Sequence, residues 1–222
     1  MTTALYIVLM GVQGAGKGTQ APKLVERYGV VWVTTGGMFR SMGDTPLGRE
    51  IKAIMDRGDL VPDDLTIQAV RDRLGKPDAA KGVVFDGFPR TRPQAEALDA
   101  MLKELGSKVT VVPFLNLKRD IAIARISSRW QCSKDSSHIY NLSTNPPKQS
   151  GICDIDGAPL TQRSDDTAEA GARRIDEYFE KTMPLLDYYR AKDVLAEINA
   201  DRPIDKVTAD LFAAVDMASK KA

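Results

Sequence analysis

The sequence predicts an α/β protein: a parallel five-stranded sheet flanked by helices, with two lobes inserted between core elements. Three observations carry that expectation. Short apolar runs alternate with longer stretches of helical periodicity along the chain. The runs are near-continuous in Val, Ile and Leu, the pattern of parallel strands covered on both faces. Two segments break the alternation and differ in composition from their surroundings.

In chain order, Ala4–Met10 reads as the first strand and Lys17–Tyr28 as the first helix, followed by a strand at Val30–Val33. Thr34–Pro62 then reads as a helical hairpin-like insert rich in glycine. The core resumes with helix Asp63–Leu74, strand Val83–Phe85, helix Gln94–Leu105, strand Val109–Leu115 and helix Arg119–Arg129. Trp130–Thr161 is rich in Ser, Asn, Pro, Gly and Asp, and reads as a small separate lobe. A long helix over Asp166–Tyr189, broken or kinked by Pro184, precedes strand Val194–Ile198 and helix Ile204–Ala218. Such alternation predicts right-handed crossovers. The expected division is a core of 1–33, 62–127 and 167–222, an insert at 34–61 and a second at 128–166.

The length of 222 residues suits one large domain or one domain with inserts. Lys plus Arg number 31 and Asp plus Glu 30, a net charge of +1 that argues against a general nucleic-acid binder. Hydrophobic residues at 43% and charged residues at 27% are ordinary for a soluble globular chain. The Ala4–Met10 run is too short to span a bilayer, and no basic segment precedes it, so a cytoplasmic location and no membrane partner are expected. In that reducing compartment Cys132 and Cys153 point to a metal site before a disulfide.

Between the first strand and first helix lies Gly11-Val12-Gln13-Gly14-Ala15-Gly16-Lys17-Gly18-Thr19. The spacing Gly11…Gly16-Lys17 is that of a phosphate-binding loop, so the sheet is expected to be P-loop NTPase-like. Glycines let successive backbone N–H groups curl around phosphate oxygens. The helix that follows adds its positive end, and Lys17 a point charge. Gly18 stands where Ser or Thr usually follows the lysine, and Thr19 comes next.

From Gly14 to Ala21 the sequence resembles the nucleoside monophosphate kinases, the adenylate kinases in particular. The resemblance continues at Thr34-Thr35-Gly36, Met38-Phe39-Arg40 and Gly58-Asp59-Leu60-Val61. Its most specific part is Asp86-Gly87-Phe88-Pro89-Arg90-Thr91-Arg92-Pro93-Gln94. Asn145-Pro146-Pro147-Lys148 and Gln162-Arg163-Ser164-Asp165-Asp166 complete the series, in the family's order, over nearly the whole chain. The length of 128–166 resembles the long-lid bacterial type.

The resemblance implies reversible phosphoryl transfer from ATP to AMP, giving two ADP, with Mg²⁺, and so a role in adenine-nucleotide homeostasis. It implies an AMP-binding insert, a mobile lid and a monomer. Such chemistry needs no general base, only positioning and charge stabilisation, for which arginine forks suit phosphate. By match to the family pattern, Lys17, Arg90, Arg125, Arg129, Arg163 and Arg174 would be the catalytic cations. Gly14, Ala15, Gly16, Gly18, Thr19 and Arg202, with Lys17, Arg125 and Arg129, would bind ATP, and Arg125 would pack against its adenine. Thr35, Gly36, Arg40, Leu60, Val61, Gly87 and Gln94, with Arg90, Arg163 and Arg174, would bind AMP. Thr35 and Gln94 would face its adenine, and Asp86 would hold Mg²⁺ through water.

The chain departs from the family at three notable places. Gln13 replaces the usual proline, Gly37 the usual aspartate after Thr-Gly, and Asn141 a common histidine. In the lid, many long-lid relatives hold zinc on four cysteines or three cysteines and an aspartate. Here Cys132-Ser133-Lys134-Asp135 and Cys153-Asp154-Ile155-Asp156 keep the spacing with one cysteine each. Cys132, His138, Cys153 and Asp156 would make a tetrahedral set, with Asp135 as the alternative to His138. A metal-free lid held by polar hydrogen bonds is the rival. Two functional alternatives stand beside the main reading: a related kinase with a GTP donor or another acceptor, and a weakly catalytic nucleotide-binding module.

Overall fold

The structure, a computed structural model, describes residues 4–135, 137–163, 166 and 168–221. Ser164 and Asp165 of the last motif lie outside the described residues. The chain opens with β1 (Leu5–Gly11), α1 (Lys17–Tyr28) and β2 (Val31–Thr34), then α2 (Thr35–Arg40) and α3 (Pro46–Asp56). Next come α4 (Asp63–Leu74), β3 (Gly82–Asp86), α5 (Arg92–Glu104), β4 (Val112–Asn116) and α6 (Arg119–Ser127). Three short strands follow: β5 (Arg129–Cys132), β6 (Ile139–Asn141) and β7 (Leu160–Thr161). The chain closes with α7 (Ala168–Glu177), α8 (Leu185–Arg190), β8 (Leu195–Asn199) and α9 (Ile204–Ser219).

Five strands form one parallel sheet in the order β2-β3-β1-β4-β8. Successive residues Tyr6–Met10 of β1 and Val83–Phe85 of β3 are all buried, because helices cover both faces. Leu24 of α1, Leu98 and Leu102 of α5, Tyr189 of α8 and Leu211 of α9 join them in one core. The chain lays β2 and β3 to one side of β1, then crosses to β4 on the other. That reversal opens a crevice at the carboxyl ends of the strands, where the loop after β1 lies.

The two composition-shifted segments contain clusters of their own. Phe39, Ile51 and Val61 pack together in one. In the other, an antiparallel sheet of order β6-β5-β7 covers Cys132, Tyr140, Cys153 and Leu160.

Two expected helices end differently. The helix expected to reach Arg129 stops at Ser127, and Arg129 opens β5. Ser127 and Ser128 donate their hydroxyls back to the carbonyls of Ile123 and Ala124, which competes with helix continuation. The long helix over Asp166–Tyr189 is really two α-helices joined by a π-helical stretch, Tyr178–Thr182. Pro184 has no N–H to donate and its ring crowds the preceding turn. The backbone widens ahead of it, and the Met183 N–H bonds the Tyr178 carbonyl five residues back.

Candidate active site

The loop after β1 turns through two left-handed residues, Gly14 (φ 83°) and Gly16 (φ 95°), a region costly for residues with a Cβ. Gly16 caps α1, so the unpaired N–H groups of the helix's first turn and its positive end face the crevice. Gly18 leaves room for the lid side chain above it. A Cβ there would lie 2.6 Å from Ile139 Cδ1 of β6, which closes over the loop.

Lys17 reaches back across this loop. Its Nζ donates to the carbonyls of Gly11 (2.5 Å) and Val12 (3.2 Å). Burial lowers its pKa to about 8; Asp86 opposes the fall, and Arg90, Arg129 and Arg174 deepen it. A half-buried ammonium under the influence of three guanidinium groups and one carboxylate is arranged to receive anionic charge.

A cavity of about 580 Å³ extends from this loop between the two clustered segments. Every nucleotide-site residue expected from sequence lines it: Gly14–Thr19, Thr35, Gly36, Arg40, Leu60, Val61, Asp86, Gly87, Arg90, Gln94, Arg125, Arg129, Arg163, Arg174 and Arg202. Gly37 lines it too; a Cβ added there would meet Thr34 Cγ2 at 2.9 Å, so an aspartate would displace that methyl.

Several of these side chains have a structural anchor. Thr35 Oγ1 and Arg90 Nε both donate to the Gly87 carbonyl, at 3.0 and 2.9 Å. Thr182 Oγ1, from the π-helical stretch, donates to the Arg90 carbonyl at 3.0 Å. Arg125 is held by the Ala200 carbonyl (3.1 Å) and Asp201 (3.3 Å), while its buried Nε has no partner among the described residues. Arg163 Nε donates to Gln131 Oε1 at 2.5 Å. Arg202 pairs with Asp210 at 2.6 Å at the cavity's edge.

Asp166 stands in the last sequence motif without an expected role. Its buried carboxylate takes a two-pronged bond from Arg129, with Nε–Oδ2 at 2.8 Å, and a second cation from Arg174 at 3.3 Å. It therefore holds two of the expected catalytic arginines side by side. The buried side chain of Tyr178 also lines the cavity and was not anticipated. The signal for both was weak: an aspartate in a charged run and a tyrosine in a helix.

Away from the cavity, Cys132, His138, Cys153 and Asp156 bring one ligand atom each within 4.8 Å of one another. Measured edges are 3.2 Å from Cys132 Sγ to Asp156, 3.1 Å from His138 Nδ1 to Asp156 Oδ2, and 3.5 Å from Cys153 Sγ to Nδ1. A tetrahedral zinc with bonds of about 2.0–2.3 Å has ligand–ligand edges of about 3.3–3.8 Å; one quoted edge lies in that range and two fall just short of it, close enough for the donor set to take such an ion. Asp135 is not among the four. It stands behind the imidazole, 3.6 Å from Nε2. Backbone N–H groups of Lys134 and Asp135 point at Cys132 Sγ at 3.3 and 3.5 Å. No helix among the described residues is long and apolar enough to cross a membrane.

Comparison with known proteins agrees with this geometry. The adenylate kinase family model matches residues 9–194. The adenylate kinase of Brevibacillus brevis is 46% identical over 209 residues, covering 93% of this chain and 97% of the relative. Those of Bacillus subtilis (45% over 209 residues, 93% and 96% coverage) and Methanosarcina acetivorans (44% over 211 residues, 94% and 97%) are similar. A match of that length, running from the end of β1 almost to β8, places the chain in the adenylate kinase family.

Proposed function

We propose that the cavity carries reversible phosphoryl transfer from ATP to AMP, giving two ADP. The observation that carries this reading is the convergence of Lys17, Arg90, Arg129 and Arg174 on one phosphate-binding loop, with Asp86 as their acidic neighbour. The attacking group is a phosphate oxygen that is already ionised, so no base is needed. The sole histidine accordingly sits in the metal-like cluster, away from the cavity. What the chain must do is bring anions together in line and stabilise the charge that spreads during transfer.

In this reading the loop Gly14–Thr19 cradles the ATP phosphates, and Lys17 leaves its carbonyl partners to follow the transferred group. Arg125 and Arg202 border the donor side. Arg40 and Arg90 hold the AMP phosphate; Arg129, Arg163 and Arg174 close on the group in transit. Thr35 and Gln94 face the acceptor base beside Leu60 and Val61. Asp86 would hold Mg²⁺ through water, and the ion would supply neutralising charge for the phosphates. The 34–61 segment is the acceptor lobe, and 128–166 the lid over the donor, both moving against the core to exclude water.

Zinc on Cys132, His138, Cys153 and Asp156 would brace the lid without entering the chemistry. Zinc content is expected to match the chain after purification without chelator, and a metal-free lid would leave it near zero. We further assign the chain to a cytoplasmic monomer acting on ATP, AMP and ADP, without nucleic-acid or membrane partners.

The test is ADP formation from ATP and Mg²⁺ with AMP, UMP, CMP or GMP supplied in parallel. Fast turnover with AMP alone is expected. Preference for another acceptor would make the chain a sister kinase, and ATP binding without turnover would make it a nucleotide-binding module.

A further inference from the structure

Gln94 is buried, with 2% of its surface exposed, and its amide is gripped at both ends. The Arg90 backbone N–H donates to Oε1 at 2.8 Å, and Nε2 donates to Asp63 Oδ1 at 2.7 Å. The other oxygen of Asp63 accepts from Thr91 Oγ1 at 2.8 Å. Thr91 caps α5, the helix that carries Gln94, while Asp63 is the first residue of α4. Gln94 lines the cavity but Asp63 does not.

These two partners have fixed polarity. A carboxylate only accepts hydrogen bonds, and a backbone N–H only donates. Turning the Gln94 amide over would set Oε1 against the Asp63 carboxylate and Nε2 against the Arg90 N–H. Both contacts would then repel, in a buried site where unmade hydrogen bonds are costly. The amide is thus held in one orientation, with one N–H and one oxygen lone pair left to offer.

We infer that Asp63 is a specificity-determining positioning residue: by fixing the Gln94 amide, it makes the acceptor site select a 6-amino purine over a 6-oxo purine. The inference rests on the reading that Gln94 faces the acceptor base. Adenine presents its 6-amino donor beside a ring-nitrogen acceptor, and a fixed oxygen and N–H match that order. A 6-oxo purine presents an acceptor at the same corner, which would meet the Gln94 oxygen. A freely turning amide could satisfy either base; a locked one serves only adenine. Sites built on fixed hydrogen bonds discriminate strongly because the wrong ligand leaves buried groups unpaired.

The experiment measures kcat and KM with AMP and with IMP as acceptor, for the wild type, Asp63→Ala, Asp63→Asn and Gln94→Leu. Asp63→Ala is expected to raise the KM for AMP by a few-fold to about tenfold, with a smaller change in kcat, and to narrow the AMP-to-IMP ratio. Asp63→Asn, whose amide oxygen can still accept from Nε2, is expected to recover most of that ratio. A wild-type ratio and AMP KM in Asp63→Ala, with Gln94→Leu defective, would overturn the inference and leave the reading of Gln94 intact. Unaltered acceptor kinetics in Gln94→Leu would instead overturn the reading of Gln94 itself, and the inference with it. Should Asp63→Ala fail to fold, NMR of the wild type decides. A Gln94 side-chain amide with two well-separated proton shifts and slowed solvent exchange is expected without nucleotide; degenerate, rapidly exchanging protons would overturn the lock.

Discussion

The cavity and the lid cluster are both built from polar side chains, but they are satisfied in opposite ways. In the lid, unlike partners face one another: thiols, an imidazole and a carboxylate lie within 3.1–3.5 Å, backed by backbone N–H groups. Around the phosphate loop, like charges gather: Lys17 is half-buried, its withdrawal from solvent lowers its pKa, and three arginines add to the fall. The first arrangement closes on itself and holds a small lobe together. The second sets Lys17, Arg90, Arg129 and Arg174 around two carboxylates, Asp86 and Asp166, an excess of cations suited to an anionic ligand. Polar burial therefore marks function where charges of one sign converge on open space, and structure where the groups answer one another.

The largest effect is expected where the two arrangements meet. Asp166 is the buried counter-charge of Arg129 and Arg174. Asp166→Ala would strand both cations, at a cost of about 3–5 kcal/mol in unfolding free energy, and would also lower turnover. Chemical denaturation beside the ADP-formation assay checks both. Loss of turnover with unchanged stability would mean that this carboxylate belongs wholly to the cavity.

Arg90→Ala should show the cavity signature alone. Turnover is expected to fall on the order of 100- to 1,000-fold, as for removal of one transition-state donor. The Gly87 carbonyl keeps its bond from Thr35, so the unfolding midpoint should move less than in Asp166→Ala. Cys132→Ser should show the converse. It disturbs a buried polar site, costing about 1–3 kcal/mol. At about 2–4 °C per kcal/mol for a chain of this size, the midpoint should fall by several degrees. ADP formation well below that midpoint should stay in the wild-type range; a collapse of turnover would erase the contrast between the two regions.

A pH dependence provides a further contrast. Lys17 in the folded protein titrates at about 8, below the ordinary lysine value it regains on unfolding. Between those values the unfolded chain binds the extra proton, so this group's contribution to stability rises with pH from about 8 towards 10. Unfolding free energy measured across that window in the nucleotide-free protein should rise more in the wild type than in Lys17→Met. Equal slopes would place Lys17 in a solvated position.

Much of this molecule can be read from its sequence, for a physical reason. Parallel strands such as Val83–Phe85 must be continuously apolar, and a phosphate loop must have glycines at fixed spacing, so both are written locally. The pairing of Cys132 with Cys153 and Asp156 was equally legible, because ligand spacing survives within each turn. The break at Tyr178 was not: Pro184 predicts a disruption, but whether the helix kinks or widens upstream depends on packing. Nor were the Asp63–Gln94 and Arg129–Asp166 bonds, which join residues 31 and 37 apart in sequence and leave no periodic trace. Long-range polar pairing is set by the fold, and only the fold reveals it.

The central claim is that the cavity is charged for its ligands at the expense of its own stability. Measuring the unfolding midpoint and the rate of ADP formation on Lys17→Met at neutral pH tests it most directly. An uncharged side chain of similar length relieves the half-buried ammonium, so the midpoint should hold or rise while turnover falls on the order of 100-fold or more. A lowered midpoint with turnover largely retained would contradict the claim and make Lys17 a structural residue of the loop.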